Sequence, residues 1–397
     1  MSGRKLFSTI VAIALALSLV AGGFGCAKAT PAVTQWEVPV FVAMTGPLAF
    51  LGEDIQWAMN RAATEINAAG GIRGKPVKLT YYDSPYDAAR AVTLTREQAD
   101  KALVIAAQVT GVEAEAAAPV AVTAKVPWID AITNASTTFE KNRPWTFGLS
   151  TDPGASAGAA LKRLLADNPQ VKTVGRLMEV SDQIFLIEWN GMKPVLEAAG
   201  IKEVAVAEHK IGDIEFSAAV TKIKAANPDL VLLLTAPGEG GRFVAEMAKQ
   251  GMPSSTKLTF ATEDFIGPEA VSAAGAALEG VYVGTATFNA LDEAKWQAFY
   301  QAYLTEKKAT TMAYWTPVAY DTLYVIKHAM EKAQVTGDKA KLATEREAIR
   351  AELEKLKDFP GINGVFSMGS GGWPFKTAYL LKFQGGDFVK VAAAAPK

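Results

Sequence analysis

From Val38 onward the chain alternates between short apolar runs and amphipathic stretches. The apolar runs are VPVFVAM, PVKLTYYD, ALVIAAQV, VPWIDAI, VKTVGRLMEV, KEVAVAEH, DLVLLLT, KLTFATE and GVYVGTATF. Most are nearly continuous, as strands of a parallel sheet are when helices cover both faces. The stretches between them have helical period and helical stops. IQWAMNRAATEINAAGG predicts a helix that lays its Ala, Ile and Met side on a sheet and stops at Gly70-Gly71, a C-terminal cap. The next strand then starts at Val77. DAARAVTLTREQADKA, AAVTKIKAANP and GRFVAEMAKQG read the same way. Strands alternating with helices predict an α/β fold of doubly wound parallel sheets. The number of such units fits two lobes, one beginning near Trp36 and the other near Leu149, with no low-complexity linker and no short repeat.

In open α/β sheets, ligands bind outside the carboxyl ends of the strands. Here those ends carry small or polar residues: Thr45-Gly46-Pro47, Asp83-Ser84, Thr110-Gly111, Thr133-Asn134, Ser181-Asp182, Thr235-Ala236-Pro237-Gly238 and Glu263-Asp264. Hydroxyls beside helix N-termini suit a carboxylate. The acids suit an ammonium group or amide donors. Each of these residues also has a plain reading as a helix cap.

At 397 residues the chain is long enough for two or more domains, each with its own core. Charged residues are 20% of it with a net charge of −1, so nothing pulls it toward nucleic acid or an anionic surface. The first 29 residues read as a targeting segment. Arg4 and Lys5 precede the apolar stretch Leu6 to Val20, too short to span a bilayer stably, and small residues follow. The only cysteine, Cys26, ends this segment, so the mature domain has no internal disulfide. Acylation of Cys26 would tether the protein through the linker ATPAVTQ, with the domain in solvent. Gly23 stands where lipoprotein signals usually carry Leu, and cleavage after Ala29 is the alternative. Either way the protein is expected outside the cytoplasm, in the periplasm or on the outer face of the cell membrane.

Chemistry of other classes is thinly represented. GASAG, residues 154–158, fits the nucleophile elbow of serine hydrolases. However, Ser156 follows Asp152-Pro153-Gly154 at the opening of a helix rather than the end of a strand. His209 and His328 are the only histidines that could serve it. Neither histidine has a ligand-spaced partner, so no metal site is expected. APGEGGRF follows a strand but lacks the spacing and the lysine of nucleotide loops, so no cofactor is expected. His328, Trp57, Trp128 and Trp145 read as core or helix-packing residues.

The stretch TGPLAFLGEDIQWAMNRAATEINAAGGIRGKPVKLTYYD resembles the leucine/isoleucine/valine-binding family of periplasmic solute-binding proteins. GDIEFSAAVTKIKAANPDLVLLL, VPWIDAITNAS, LEGVYVGTATF and YWTPVAYDTLYVIKHAMEKA extend the resemblance over the mature chain. It implies a type I periplasmic binding protein: two doubly wound parallel-sheet lobes, three hinge crossings, and a ligand cleft between the lobes. The crossings fall near Phe147–Ser150, Thr285–Thr287 and Lys376–Tyr379. The lobes are then 36–148 with 287–377, and 149–286 with 378–397. The implied function is to bind a small ligand, most readily a branched-chain or related amino acid, and deliver it to the permease of an ABC importer without chemistry. An aromatic or aliphatic carboxylate or an amide is the alternative ligand, and a monomer the expected state. Carried over residue by residue, the ligand carboxylate falls to Thr110 and backbone contacts to Ile132, Thr133 and Asn134. The ammonium group falls to Glu263, and a second-lobe aromatic to Phe185, with Gln183 beside it. Two family tyrosines appear as Leu51 and Ala236, which widens the space for a side chain.

Overall fold

The computed structural model describes residues 33–133, 136–288 and 293–394. The targeting segment, Cys26 and Asn134 lie outside the described residues. The first sheet is made by β1 (Trp36–Val42), β2 (Val77–Asp83), β3 (Ile105–Gln108), β4 (Trp128–Asp130) and β5 (Thr146–Gly148). They run parallel in the order β2-β1-β3-β4-β5. The helices threaded through them are α1 (Ala49–Ala68), α2 (Ala88–Ala99), α3 (Gly111–Ala124) and α4 (Ser136–Lys141).

The expected first helix is α1, and Ile55, Ala58, Met59, Ala62 and Ile66 all bury to 1% exposure or less on its sheet side. It stops where the two glycines stand. Gly71 has φ +74°, and a Cβ there would lie 2.1 Å from the Lys75 carbonyl oxygen, so the tight return into β2 requires glycine.

The second sheet repeats the plan. Its helices are α5 (Pro153–Asp167), α6 (Gln183–Ala198), α7 (Ser217–Ala226), α8 (Pro237–Lys249) and α9 (Pro268–Ala274). Its strands are β6 (Thr173–Glu179), β7 (Lys202–His209), β8 (Leu230–Leu234), β9 (Leu258–Thr262) and β10 (Tyr282–Thr285). They run parallel in the order β7-β6-β8-β9-β10. α5 and α6 pack closely at Gly154 and Gly191, where a Cβ on Gly191 would meet the Gly154 carbonyl oxygen at 2.0 Å.

The rest of the chain crosses back. α10 (Ala294–Lys307), α11 (Trp315–Lys332) and α12 (Leu342–Glu354) return to the first lobe, where α11 packs on α1 and the α10 residue Phe299 meets Trp57. A small antiparallel sheet follows, of β11 (Phe359–Gly361), β12 (Gly364–Met368) and β13 (Pro374–Phe375). The hairpin β14 (Ala378–Gln384) and β15 (Asp387–Ala394) then adds two antiparallel strands beside β10. The nine apolar runs in the sequence match β1–β4 and β6–β10. The three-residue β5, the small sheet and the closing hairpin were not among them.

Both parallel sheets have the flavodoxin-like order, so each reverses direction between its first and third strands, β1 and β3 in one and β6 and β8 in the other. Those switch points open crevices at the strand carboxyl ends. The site is built from the loops that leave them.

Candidate functional site

A cleft of about 520 Å³ of empty space, open to solvent on one side, lies between the two switch points. The first lobe lines it with Leu48, Phe50 and Leu51 after β1, Thr110 and Gly111 after β3, and Ile132 and Thr133 after β4. The second lobe contributes Asp182, Ile184 and Phe185 after β6, Ile211 after β7, Ala236 and Pro237 after β8, and Asp264 after β9. Tyr314 and Trp315, at the start of α11, complete the wall. Hydrogen bonds join the lobes across it: Gln183 Nε2 donates to the Gly111 carbonyl at 3.5 Å, Tyr86 to the Ser181 carbonyl at 3.5 Å, and Tyr314 to Asp264 Oδ1 at 2.8 Å. The lobes are therefore in contact, in a closed arrangement.

Thr110 is the N-cap of α3, and its hydroxyl and backbone N–H both donate to Glu113 Oε2, at 3.0 and 3.1 Å. Glu113 also accepts from Ser84 Oγ at 2.6 Å, and burial raises its pKa. Thr110 is thus held at the cleft wall with its proton committed to Glu113. The groups left to meet an anion here are the backbone N–H groups of Gly111 and Val112, since that of Glu113 is met by the Thr110 side chain in a capping box. Ile132 and Thr133 are set by Asp130, whose Oδ1 accepts from their N–H groups at 2.8 and 3.1 Å. Asp130 is fully buried, and that burial pushes its pKa well above the usual range.

On the facing lobe, Phe185 joins the core of that lobe and shows its edge in the cleft wall. Asp182 caps α6, accepting from Ile184 N at 3.0 Å, and its pKa is raised to about 6 by burial and by the nearby acids Glu179, Asp264 and Glu113. Glu263 does not line the cleft. Its Oε2 accepts from Thr285 Oγ1 at 2.8 Å, Ala286 N at 3.3 Å and Thr287 Oγ1 at 3.3 Å, which ties it to the segment leaving β10. Lys376, its pKa lowered by burial, has Asp321 and Glu263 as counter-charges. The acid that reaches the cleft is the next residue, Asp264. Glu263 and Asp264 lie in the short turn Glu263–Phe265 after β9, so a motif that locates the strand end leaves open which neighbour faces inward.

Leu51 and Ala236 both line the cleft, so the two family tyrosine positions are wall positions here. Trp57 instead donates to Glu306 Oε2 at 2.8 Å, Trp128 is core, and Trp145 lies under Arg350. Sequence reasoning missed Tyr314 and Trp315. Both fall in the quoted helix YWTPVAYDTLYVIKHAMEKA but follow no strand end. Asp182, Asp264 and Ala236 stand among the strand-end residues, which was the available signal.

Ser156 donates to the Asp152 carbonyl at 2.9 Å and sits 3.3 Å from the Thr151 hydroxyl. His209 stands edge-on to Phe216, and His328 edge-on to Phe359. The three groups thus sit in separate surroundings. Among the described residues no group of three His, Cys, Asp or Glu could hold a metal ion, and no helix is long and apolar enough to cross a membrane.

The profile of the family described as periplasmic binding protein matches residues 35–387. An amino acid binding protein of Pseudomonas aeruginosa is 29% identical over 255 residues, 63% of this chain and 65% of that protein. The chain thus spans a little under two thirds of that relative's length. A Leu/Ile/Val-binding protein homologue of Brucella melitensis is 26% identical over 346 residues, 82% of this chain and 87% of its own. Among solved structures, the substrate-binding protein LivJ of Streptococcus pneumoniae, in complex with isoleucine, superposes with a TM-score of 0.76 at 24% identity, covering 90% of this chain and 100% of that one. A solute-binding protein of Rhodopseudomonas palustris in complex with benzoate gives 0.78 at 21%, covering 91% and 97%. At these identities the structures speak for the fold.

Proposed function

The chain belongs to the periplasmic binding protein family, and we propose that it is an extracytoplasmic receptor for an α-amino acid with an apolar side chain, branched-chain or larger, which it presents to an ABC importer. The observation that carries this reading is a polarity across the cleft. One end has the N-terminal turn of α3 with Thr110 and Thr133, a setting for a carboxylate. The other lobe brings Asp264, held by Tyr314, a setting for an ammonium group. Between them Leu48, Leu51, Ile132, Ile184, Phe185 and Trp315 offer an apolar bed. Asp264 rather than Glu263 is the ammonium partner in this reading, and the backbone amides at Gly111 do the work first assigned to the Thr110 hydroxyl.

Closure would turn on the segments near residues 147–150, 285–287 and 376–379, with lobes of 36–148 plus 287–377 and 149–286 plus 378–397. An acylated Cys26 would keep the receptor at the membrane surface, beside its permease. The benzoate complex of the Rhodopseudomonas palustris protein and the substitutions at Leu51 and Ala236 favour an aromatic or aliphatic carboxylate as second reading.

A thermal-shift panel on residues 30–397 tests the first reading. A ligand at 100 times its Kd stabilises by about 2.7 kcal/mol, a shift of several degrees. Shifts with leucine, isoleucine, valine or phenylalanine support it; shifts only with acids lacking an amine replace it by the second.

A further inference from the structure

Behind the cleft wall stands Glu188, on α6. It is fully buried, and no donor among the described residues reaches either of its oxygens in ordinary hydrogen-bond geometry. Its polar neighbours are the Thr262 hydroxyl and the carboxyl of Asp264, the acid that lines the cleft. Two carboxylates in contact away from water cannot both stay ionised. The charged and titratable groups around the pair decide which way it resolves. From α11, Tyr314 donates to Asp264 Oδ1 at 2.8 Å. From the turn after β9, Glu263 adds negative charge, offset by Lys376. From the N-cap of α6 comes another acid, Asp182. The N-cap of α5, which packs on α6, is the acid Asp152, already accepting from Ala155 N and Ser136 Oγ. From β6, Arg176 stacks on Trp189 and is paired with Glu203. No cation is among the main charges acting on Glu188, while Asp264 has a donor and the cleft.

We propose that Glu188 is a positioning residue that keeps its proton and donates it in a hydrogen bond to Asp264, so that the pair presents one negative charge, on Asp264, to one ligand ammonium group. The inference rests on the amino-acid reading of the cleft and deepens it. A second ionised carboxylate there would leave a buried charge unmatched by a monocationic ligand. A neutral Glu188 leaves the pair one charge for one ammonium group, so Glu188 itself releases or takes up no proton on binding. Burial and the neighbouring acids also hold the Glu188 pKa well above the usual range.

Two variants and two readouts test it. Glu188→Gln keeps a neutral donor toward Asp264, whereas Glu188→Met keeps the volume and removes the donor. Titration with L-leucine should give Glu188→Gln a Kd within about threefold of the parent and Glu188→Met a Kd weaker by about tenfold or more, one charge-assisted hydrogen bond. Asp182 also lines the cleft, with a pKa of about 6, so the parent and Glu188→Gln are compared: the difference in their binding heats between phosphate and Tris at pH 7 should be the same. Equal losses in both variants, or a proton exchanged by the parent and not by Glu188→Gln, would overturn the proposal.

The second readout needs no ligand. A native state that holds a proton which the unfolded chain releases loses stability as pH rises above the free carboxyl pKa toward the raised native one, by about tenfold in the unfolding constant per pH unit. The difference in unfolding constant between the parent and Glu188→Gln should therefore grow steadily from pH 5 to pH 7. A difference flat with pH refutes the held proton. Failure of every amino acid to bind would instead sink the amino-acid reading, while this arm still decides the state of Glu188.

Discussion

Gly111 is a point where the two lobes meet at the cleft, its carbonyl accepting from Gln183 Nε2. A Cβ at this position would stand 2.9 Å from Asp182 Oδ1, 3.5 Å from Thr133 Oγ1 and 3.6 Å from Gln183 Cγ. Asp182 and Gln183 belong to the opposite lobe, so the added methyl of Gly111→Ala intrudes on the closed arrangement and not on either lobe alone. The intrusion on Asp182 is roughly 0.5 Å short of ordinary contact. Asp182 cannot swing aside freely, because the same Oδ1 caps α6 through Ile184 N at 3.0 Å. Overpacking of this kind costs about 1–3 kcal/mol. Charged to closure, it shifts the open–closed equilibrium by about 5- to 150-fold and weakens the apparent Kd by the same factor.

The open protein should not lose stability, since alanine in a helical first turn is at least as favourable as glycine. Calorimetric titration with the amino acid that stabilises the parent reads the Kd. Small-angle scattering reads the radius of gyration with and without ligand. The variant should bind more weakly, show a larger ligand-free radius, and melt within a few degrees of the parent. A Kd within twofold of the parent at unchanged radius would refute the closed contact between Gly111 and Asp182 as a determinant of affinity.

Asp264→Asn removes the charge facing the ammonium group while leaving an oxygen for Tyr314, and should weaken amino-acid binding by about 1.5–3 kcal/mol, 10- to 150-fold by calorimetry. Glu263→Gln, tied to Thr285 and Thr287, should change binding less than Asp264→Asn; the reverse ranking in parallel titrations restores Glu263 as the ammonium partner. Glu269 is half-buried, and desolvation raises its pKa from 4.5 to about 7. Its native state therefore holds a proton that the unfolded chain gives up, a relation that lowers stability as pH rises from about 4.5 to about 7 and then levels off. Glu269→Gln should accordingly gain on the order of 1–3 kcal/mol over the parent at pH 8 and nothing at pH 4 in urea unfolding. Ala236→Tyr fills the cleft beside Pro237 and should reduce binding of the largest ligands first, read as a narrowing of the thermal-shift panel.

Most parallel strands were legible because they are nearly continuous apolar runs between helical segments, as burial on both faces demands; the edge strands β2 and β7 are only partly buried. The β14–β15 hairpin carried a different signal, AYLLKFQGGDFVKVA, with two glycines between its strands. An antiparallel hairpin closing a parallel sheet lies outside the alternation that organised the rest. The three-residue β5 is too short to have a period. In the site, the strand-end residues Thr110, Ile132, Thr133, Asp182, Ala236 and Asp264 could be found because the fold dictates where strands end. Choosing Glu263 over Asp264 could not be done that way, since their directions depend on the turn Glu263–Phe265 that follows β9. Tyr314 and Trp315 reach the cleft from the start of a helix far along the chain, and only the return of α11 onto α1 puts them there.

The account stands most squarely on the ammonium end of the cleft. Leucine and 4-methylpentanoate share the apolar side chain and the carboxylate and differ by the amine alone. Calorimetric titration of both into residues 30–397, refolded from denaturant to strip any carried ligand, separates the contributions. The account predicts that leucine binds at least 100-fold more tightly, about 2.7 kcal/mol or more, because Asp264 faces the amine. Equal or tighter binding of 4-methylpentanoate would contradict it.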